Sequence, residues 1–131
     1  VVHVYGLGQR PDEGNLRFRE IHEQNFLHDL GTGSGLVCTA GNQLIGEALY
    51  LGKPVLAFPE PNNQEQYINA HFLKEEGGGD WVEMNDFSGK TLRRFLDRLE
   101  DFRSNIRREK YNGTPVAVNA IEEFLQSSSS L

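Results

Sequence analysis

Short apolar runs and longer amphipathic segments alternate along the chain. Five runs have the length and the residue types of β-strands and are bounded by turn-forming residues. They are Val1–Tyr5, Leu16–Ile21, Leu36–Ala40, Pro54–Phe58 and, less distinctly, Trp81–Met84. The fourth run is apolar throughout, which is typical of a strand that is buried on both faces of a parallel sheet.

The segments between these runs have helical periodicity. Leu44, Ala48 and Leu51 stand at positions i, i+4 and i+7, which predicts a helix from Gly41 to about Leu51. Further helical segments are predicted for one turn at Phe26–Leu30, for Gln64 to about Glu76, after a Ser88 cap, and from Thr114 and Pro115. The apolar faces predicted for the last two are Leu92, Phe95, Leu96, Leu99 and Phe102, and Ala117, Ile121, Phe124 and Leu125. Strands that alternate with helices predict an α/β fold, a parallel sheet flanked by helices.

Size and composition narrow the classes of protein. The 131 residues fit one domain, predicted over residues 1–126, and the serine run predicts a disordered tail at 127–131. The formal net charge of -6 gives no electrostatic footprint for nucleic acid. No apolar run approaches the roughly 20 residues of a membrane span. A single cysteine, Cys38, without a signal peptide favours a cytoplasmic protein, and a first strand without an initiator Met predicts an excised domain.

Several motifs fail on spacing. Gly6 and Gly8 begin like a dinucleotide fingerprint, but Pro11 stands where the third glycine belongs. Gly89-Lys-Thr resembles the end of a phosphate-binding P-loop, but its first glycine is absent. The histidines lack metal-ligand spacing, so neither a metal site nor a cofactor is predicted. Cys38 lies among apolar residues, which favours a buried and unreactive thiol.

A basic cluster near the C-terminus leaves two interpretations open. Arg103, Arg107, Arg108 and Lys110 are interrupted by Glu109, which favours a solvated helix face. The alternative is a peripheral contact with the anionic headgroups of a membrane.

The segment from Thr39 to Pro59 carries the first candidate chemistry. A buried strand runs into Gly41, and the first amides of the helix that follows have no internal acceptor. These donors and the helix dipole favour a diphosphate, and Gly41 lets a ligand approach the backbone. Glu47 lies opposite the apolar stripe of this helix, where its carboxylate could accept hydrogen bonds from vicinal ribose hydroxyls. Spacing alone leaves an ordinary helix with an exposed glutamate as the alternative.

The segment from Pro59 to Ala70 leaves the next strand at the same edge of the sheet. Six residues between positions 62 and 69 carry amide or carboxylate side chains, more than helix capping requires. They are Asn62, Asn63, Gln64, Glu65, Gln66 and Asn69. Such a row of hydrogen-bonding groups suits sugar hydroxyls.

These two segments together resemble the C-terminal, donor-binding domain of glycosyltransferases with two facing Rossmann-like domains (the GT-B type). This group includes peptidoglycan N-acetylglucosaminyltransferases. The resemblance covers roughly Leu16 to Gly79 and implies a Rossmann-like fold, the partial C-terminal half of such an enzyme. It implies that Gly41, Asn42 and Gln43 line the diphosphate, that Glu47 binds the ribose, that Glu65, Gln66 and Asn69 bind the sugar, and that backbone groups near Phe26 and Leu27 contact the base.

The resemblance also implies a function for the whole protein. The donor would be a uridine-diphosphate sugar, with N-acetylhexosamine as the sugar, and transfer would need no metal. The acceptor and the catalytic base would belong to an N-terminal domain outside this chain, so the 131 residues alone are expected to be inactive. Two positions depart from the pattern, Leu44 near the phosphates and Glu65 at the sugar. The alternatives are a nucleotide-sugar 2-epimerase or hydrolase, a donor-binding subunit that recruits a separate membrane partner, and a non-enzymatic interaction module.

Overall fold

The computed structural model describes residues 1–129 as a parallel α/β arrangement. The strands are β1 (Val2–Tyr5), β2 (Leu16–Arg19), β3 (Leu36–Cys38), β4 (Val55–Ala57) and β5 (Gly79–Trp81). The α-helices are α1 (Glu23–Thr32), α2 (Asn42–Tyr50), α3 (Gln64–Glu75), α4 (Gly89–Asp97), α5 (Leu99–Asn105) and α6 (Thr114–Ser129). Short 3-10 turns occupy Met84–Asp86 and Arg108–Tyr111.

The strands form two parallel sheets rather than one continuous sheet. The larger sheet has the order β3-β4-β5, with Val55 paired to Leu36 on one side and to Gly79 on the other. The helices α2 and α3 are the crossovers between its strands, as parallel pairing requires. The second sheet pairs β1 with β2. The predicted parallel α/β fold is therefore confirmed, with its strands divided between two sheets.

The core lies on both faces of the larger sheet. On one face, α2 buries Ile45, Ala48 and Leu49 against β3 and β4. Of the predicted stripe, Ala48 is fully buried, while Leu44 and Leu51 pack half-buried against the same core. On the other face, Leu56 packs with Phe95 of α4 and Phe102 of α5. Because β4 is covered on both sides, all three of its residues are buried. This accounts for the continuous apolar run in the sequence.

The helix α1 links the two sheets. Leu30 belongs to the core of the larger sheet, while the edge of the Phe26 ring meets the Tyr5 ring of β1 at 5.1 Å between centroids. Asp29 accepts a hydrogen bond from the Tyr5 hydroxyl at 2.6 Å and also pairs with His3. Partial burial and the hydrogen bond to Asp29 raise the pKa of Tyr5 to about 12. Asp29 thus fastens β1 to α1.

Three predicted segments differ from the structure. The single turn predicted at Phe26–Leu30 is the middle of a ten-residue helix. The last strand begins at Gly79 and ends at Trp81, so its predicted position at Trp81–Met84 was wrong by about two residues. The helix predicted after Ser88 is confirmed with its cap, but it is two helices, because the chain leaves helical geometry at Arg98 with φ -108° and ψ 10°.

The helix α6 also differs from expectation. It forms from Thr114, as predicted, but none of its described residues is buried. The predicted inward residues Ile121, Phe124 and Leu125 are 59%, 69% and 58% exposed. Ser127–Ser129, assigned to a disordered tail, continue this helix, and residues 130 and 131 lie outside the described residues.

Candidate functional site

The turn between β3 and α2 is built from small residues with ordinary backbone geometry. Ala40 is fully buried, and the Gly41 amide donates to the Thr39 carbonyl at 2.9 Å. Gly41 is the N-cap of α2, with φ -67° and ψ 128° and no side-chain cap. The amides of the first turn of α2 therefore have neither an intrahelical acceptor nor a capping side chain. They are free donors at the positive end of the helix dipole.

An open cleft of about 650 Å³ lies against this turn. Its volume is in the range of small-molecule sites. The residues that line it come from the end of β3, the first turns of α2 and the start of α3: Thr39, Gly41, Asn42, Gln43, Leu44, Glu47 and Glu65. The structure thus brings together the residues predicted for the diphosphate, the ribose and part of the sugar site.

The two carboxylates of the cleft differ in their surroundings. Glu47 is half-buried, and its carboxylate accepts a hydrogen bond from the side-chain amide of Gln43 at 3.1 Å. Glu65 is exposed, in the first turn of α3. Among the described residues that line the cleft, none is a lysine or an arginine. An anionic ligand would therefore depend on backbone amides and the helix dipole rather than on a cationic side chain.

The polar row that follows β4 is divided between structural and free groups. Asn63 caps α3 by accepting from the Gln66 amide at 3.2 Å. The side chain of Gln66 is bonded to Glu60 twice, at the backbone amide and at the carboxylate. Asn69 donates to the Ala40 carbonyl at 3.0 Å. Of the three residues predicted for the sugar, Glu65 alone lines the cleft, and the sugar contacts of Gln66 and Asn69 stay predictions.

Phe26 and Leu27, predicted near the base, lie inside α1. The amide of Phe26 already donates to the carbonyl of His22 at 2.9 Å, and its ring packs on Tyr5. Leu27 is 44% exposed. Because the backbone amides in the first turn of a helix lack intrahelical acceptors, those of Glu23, Gln24 and Asn25 are the freer donors in this region.

Thr39 lines the cleft although it was assigned no role there, and Leu44, which the resemblance places near the phosphates, lines it too. Thr39 is the residue between the last strand position and the buried Ala40, so its hydroxyl lies at the carboxyl end of β3. The position of Thr39 directly after β3 could have predicted this, since ligands of parallel sheets bind beyond the carboxyl ends of the strands.

The basic cluster takes part in internal contacts. Arg103 pairs with Glu100 and donates to the Ser34 carbonyl, while Lys110 pairs with Glu76 at 3.0 Å. Arg108 donates to the Tyr50 carbonyl at 2.7 Å and so attaches the 3-10 turn to α2. These contacts give three of the basic residues a structural task, and a membrane contact stays a prediction. No helix among the described residues is long and apolar enough to cross a bilayer.

Other candidate groups have clear placements. Cys38 is free and buried, as predicted, and burial raises the pKa of its thiol to about 12. Within residues 1–129, no three His, Cys, Asp or Glu side chains are grouped so that they could hold a metal ion.

Comparison with known proteins identifies the family. The sequence pattern that defines glycosyl transferase family 1 matches residues 1–100. The chain belongs to this family. The part matched includes both sheets and all the residues that line the cleft.

Relatives of this glycosyl transferase family 1 chain are considerably longer proteins. A UDP-N-acetylglucosamine–N-acetylmuramyl-(pentapeptide) pyrophosphoryl-undecaprenol N-acetylglucosamine transferase 1 of Bacillus thuringiensis is 29% identical over 85% of this chain and 32% of its own length. The corresponding transferase of Rickettsia canadensis is 31% identical over 69% and 28%. An uncharacterized glycosyltransferase of Methanosarcina acetivorans is 29% identical over 82% and 30%. The chain thus spans about a third of the length of these relatives.

Solved structures share the fold. The spinosyn forosaminyltransferase SpnP superimposes with a TM-score of 0.72 at 20% identity, over 95% of this chain and 35% of its own. A glycotransferase of kitacinnamycin gives 0.63 at 22% identity, over 92% and 34%. These likenesses confirm the Rossmann-like α/β fold of one part of a GT-B type glycosyltransferase.

Proposed function

We propose that this chain binds the donor of a glycosyltransferase, a uridine-diphosphate sugar, in the cleft between α2 and α3. The observation that carries the proposal is the convergence in one cleft of the free amides of α2, Glu47 and Glu65. Amides at a helix start suit a diphosphate, and carboxylates suit the hydroxyls of ribose and sugar.

The sugar we propose is an N-acetylhexosamine. Its support is the group of relatives named as UDP-N-acetylglucosamine transferases. A solved structure with the same fold is a forosaminyltransferase, so this fold alone does not specify the sugar. The sugar is therefore the part of the proposal that most needs a direct test.

The chemistry proposed is transfer of the sugar to an acceptor hydroxyl. The acceptor oxygen attacks the anomeric carbon while the bond from that carbon to the diphosphate oxygen breaks. The leaving diphosphate keeps the electron pair, and the amides of Asn42 and Gln43 stabilise its growing negative charge. The acceptor's proton passes to a base that we place in a part of the protein outside these residues.

A panel of nucleotides, observed by ligand NMR and calorimetry, tests the proposal. The chain should bind UDP and UDP-N-acetylglucosamine with a dissociation constant in the high micromolar to millimolar range, about -4 to -6 kcal/mol. We expect no tighter binding, because the ligand would be contacted from one side only and no cationic side chain among the described residues lines the cleft. Equal or tighter binding of nicotinamide dinucleotides, or no response to any uridine nucleotide at several millimolar, would overturn it.

The same chain should transfer no sugar to acceptor alcohols by itself. The reason is that it spans about a third of the length of its relatives, and we assign the two carboxylates of the cleft, Glu47 and Glu65, to the hydroxyls of the donor. Robust turnover by the purified chain would show that the acceptor site lies within it.

A further inference from the structure

Asn69 connects the helix after β4 to the turn after β3. Its side-chain amide donates to the carbonyl of Ala40 at 3.0 Å across 29 positions of sequence. Asn69 is half-buried and Ala40 is fully buried, so this hydrogen bond is shielded from water on at least one side. It is a direct bond between α3 and the β3–α2 turn, both of which contribute residues to the cleft.

The carbonyl that Asn69 holds belongs to the peptide unit that starts the phosphate turn. That unit joins Ala40 to Gly41, and its N–H donates to the Thr39 carbonyl at 2.9 Å. Because a peptide unit is planar, bonds at its oxygen and at its N–H together fix the orientation of the whole plane. Gly41 then sets the direction in which α2 begins, since its own carbonyl accepts from the Ile45 amide at 3.1 Å.

Nothing else in the turn performs this task. The N-cap of α2 has no side-chain hydrogen bond, and Gly41 has no side chain with which to restrain the backbone. At the start of α3, Asn63 caps the helix and Gln66 is bonded to Glu60, so neither side chain is bonded to the turn. Asn69 is the described residue of α3 whose side chain reaches the β3–α2 turn.

We infer that Asn69 is a positioning residue for the diphosphate. It acts through the Ala40–Gly41 peptide, which aims the first amides of α2 into the cleft. Loss of the donor leaves a buried carbonyl without its partner, which favours rotation of that peptide. This inference rests on the proposed function, since the aim of the amides matters only if a phosphate group binds them.

The test compares UDP with UDP-N-acetylglucosamine on Asn69→Ala and Asn69→Asp. The aspartate has nearly the size of asparagine but cannot donate when ionised, which guards against an alanine variant that fails to fold. Both variants should bind UDP, which carries the diphosphate but no sugar to transfer, at least about fivefold more weakly than the parent does, and UDP-N-acetylglucosamine should be weakened at least as much. Glu75→Ala, an exposed position on the same helix, is the matched control and should bind both like the parent.

A second measurement separates this inference from the proposed function. Hydrogen exchange of the Gly41 amide should become at least about tenfold faster in both Asn69 variants without ligand and stay unchanged in Glu75→Ala. Weaker binding of UDP-N-acetylglucosamine alone would make Asn69 a sugar contact and overturn the inference. Unchanged exchange at Gly41 would overturn it as well. Failure of the parent to bind any uridine nucleotide, with faster exchange in the variants, would reject the donor site while the link to the turn stands.

Discussion

Gly41 follows a strand of the larger sheet and Gly79 begins another, but the structure explains the absence of a side chain differently at the two positions. At Gly41 the backbone is ordinary, with φ -67°, and a Cβ would meet no atom within 4 Å. At Gly79 a Cβ would lie 1.9 Å from the carbonyl oxygen of Val55, its partner in the neighbouring strand. The fold therefore requires glycine at position 79 and tolerates other residues at position 41.

The difference suggests that glycine at position 41 serves ligand binding and not folding. A residue with a polar side chain at position 41 would cap α2 better than glycine does. The empty space around Gly41 is the cleft itself, which it lines. Folding does not require glycine at position 41, but close approach of a ligand to the backbone does. The glycine is therefore consistent with a binding site at this turn.

The largest expected effect is that of Gly79→Ala. The new methyl group would collide with backbone that has no room to move, since Val55 is fully buried in the central strand. We expect a loss of more than about 3 kcal/mol of unfolding free energy, or no folded protein, measured by urea denaturation. The control is Gly46→Ala within α2, where a Cβ meets nothing, and it should gain about 0.5–1 kcal/mol. Equal midpoints for Gly79→Ala and the parent would refute the comparison.

Gly41→Val should separate binding from stability. Valine accepts the backbone angles of this position, so the cost is that of a poorer N-cap, about 0.5–1 kcal/mol. Its side chain would occupy the space over the first amides of α2, and binding of UDP should fall below detection by calorimetry. A variant that binds UDP as the parent does would place the phosphate site elsewhere. A variant that loses most of its stability would show that the turn itself needs glycine.

Glu47→Ala should have the smallest effect, confined to the ligand. The carboxylate is half-buried and its one described hydrogen bond, from Gln43, lies at the surface, so the melting temperature should stay within error. Loss of bonds to the ribose hydroxyls should weaken UDP binding at least about tenfold. Glu47→Gln should lose less, because the amide keeps one acceptor oxygen.

A 2′,3′-dideoxyuridine diphosphate is the matched control for Glu47. It lacks the hydroxyls, so parent and Glu47→Ala should bind it equally poorly. If natural UDP also bound both proteins equally, Glu47 would be an ordinary residue of the helix surface.

The sequence allowed most of the cleft to be predicted, because its elements have strong local signals. The strand β3, the glycine turn and α2 were each placed within about two residues, and Glu47 was assigned to the cleft face of α2 from periodicity. Which polar residues of 62–69 form internal bonds could not be predicted, since the bonds of Asn69 to Ala40 and of Gln66 to Glu60 join residues that only the folded chain brings together.

Elsewhere the local signal was misleading for identifiable reasons. Gly79 follows Gly77 and Gly78, and such a run of glycines after a helix is typical of a helix end. Gly79 is nevertheless a strand residue that lets β5 approach β4 closely. The apolar periodicity from Leu92 to Phe102 continues through Arg98, so it could not reveal the break between α4 and α5. An apolar stripe on α6 predicted burial, but a stripe does not specify what covers it.

The central claim is that one cleft holds a uridine-diphosphate sugar along α2. The most direct test is a titration of the isotope-labelled chain with UDP-N-acetylglucosamine, followed by amide chemical shifts. We predict that the largest changes fall on Gly41, Asn42 and Gln43, with smaller ones at Glu47 and Glu65, and that UDP alone reproduces all of them except those at Glu65. Changes concentrated outside this cleft, for example at the glycine turn of residues 6–8, would contradict the account.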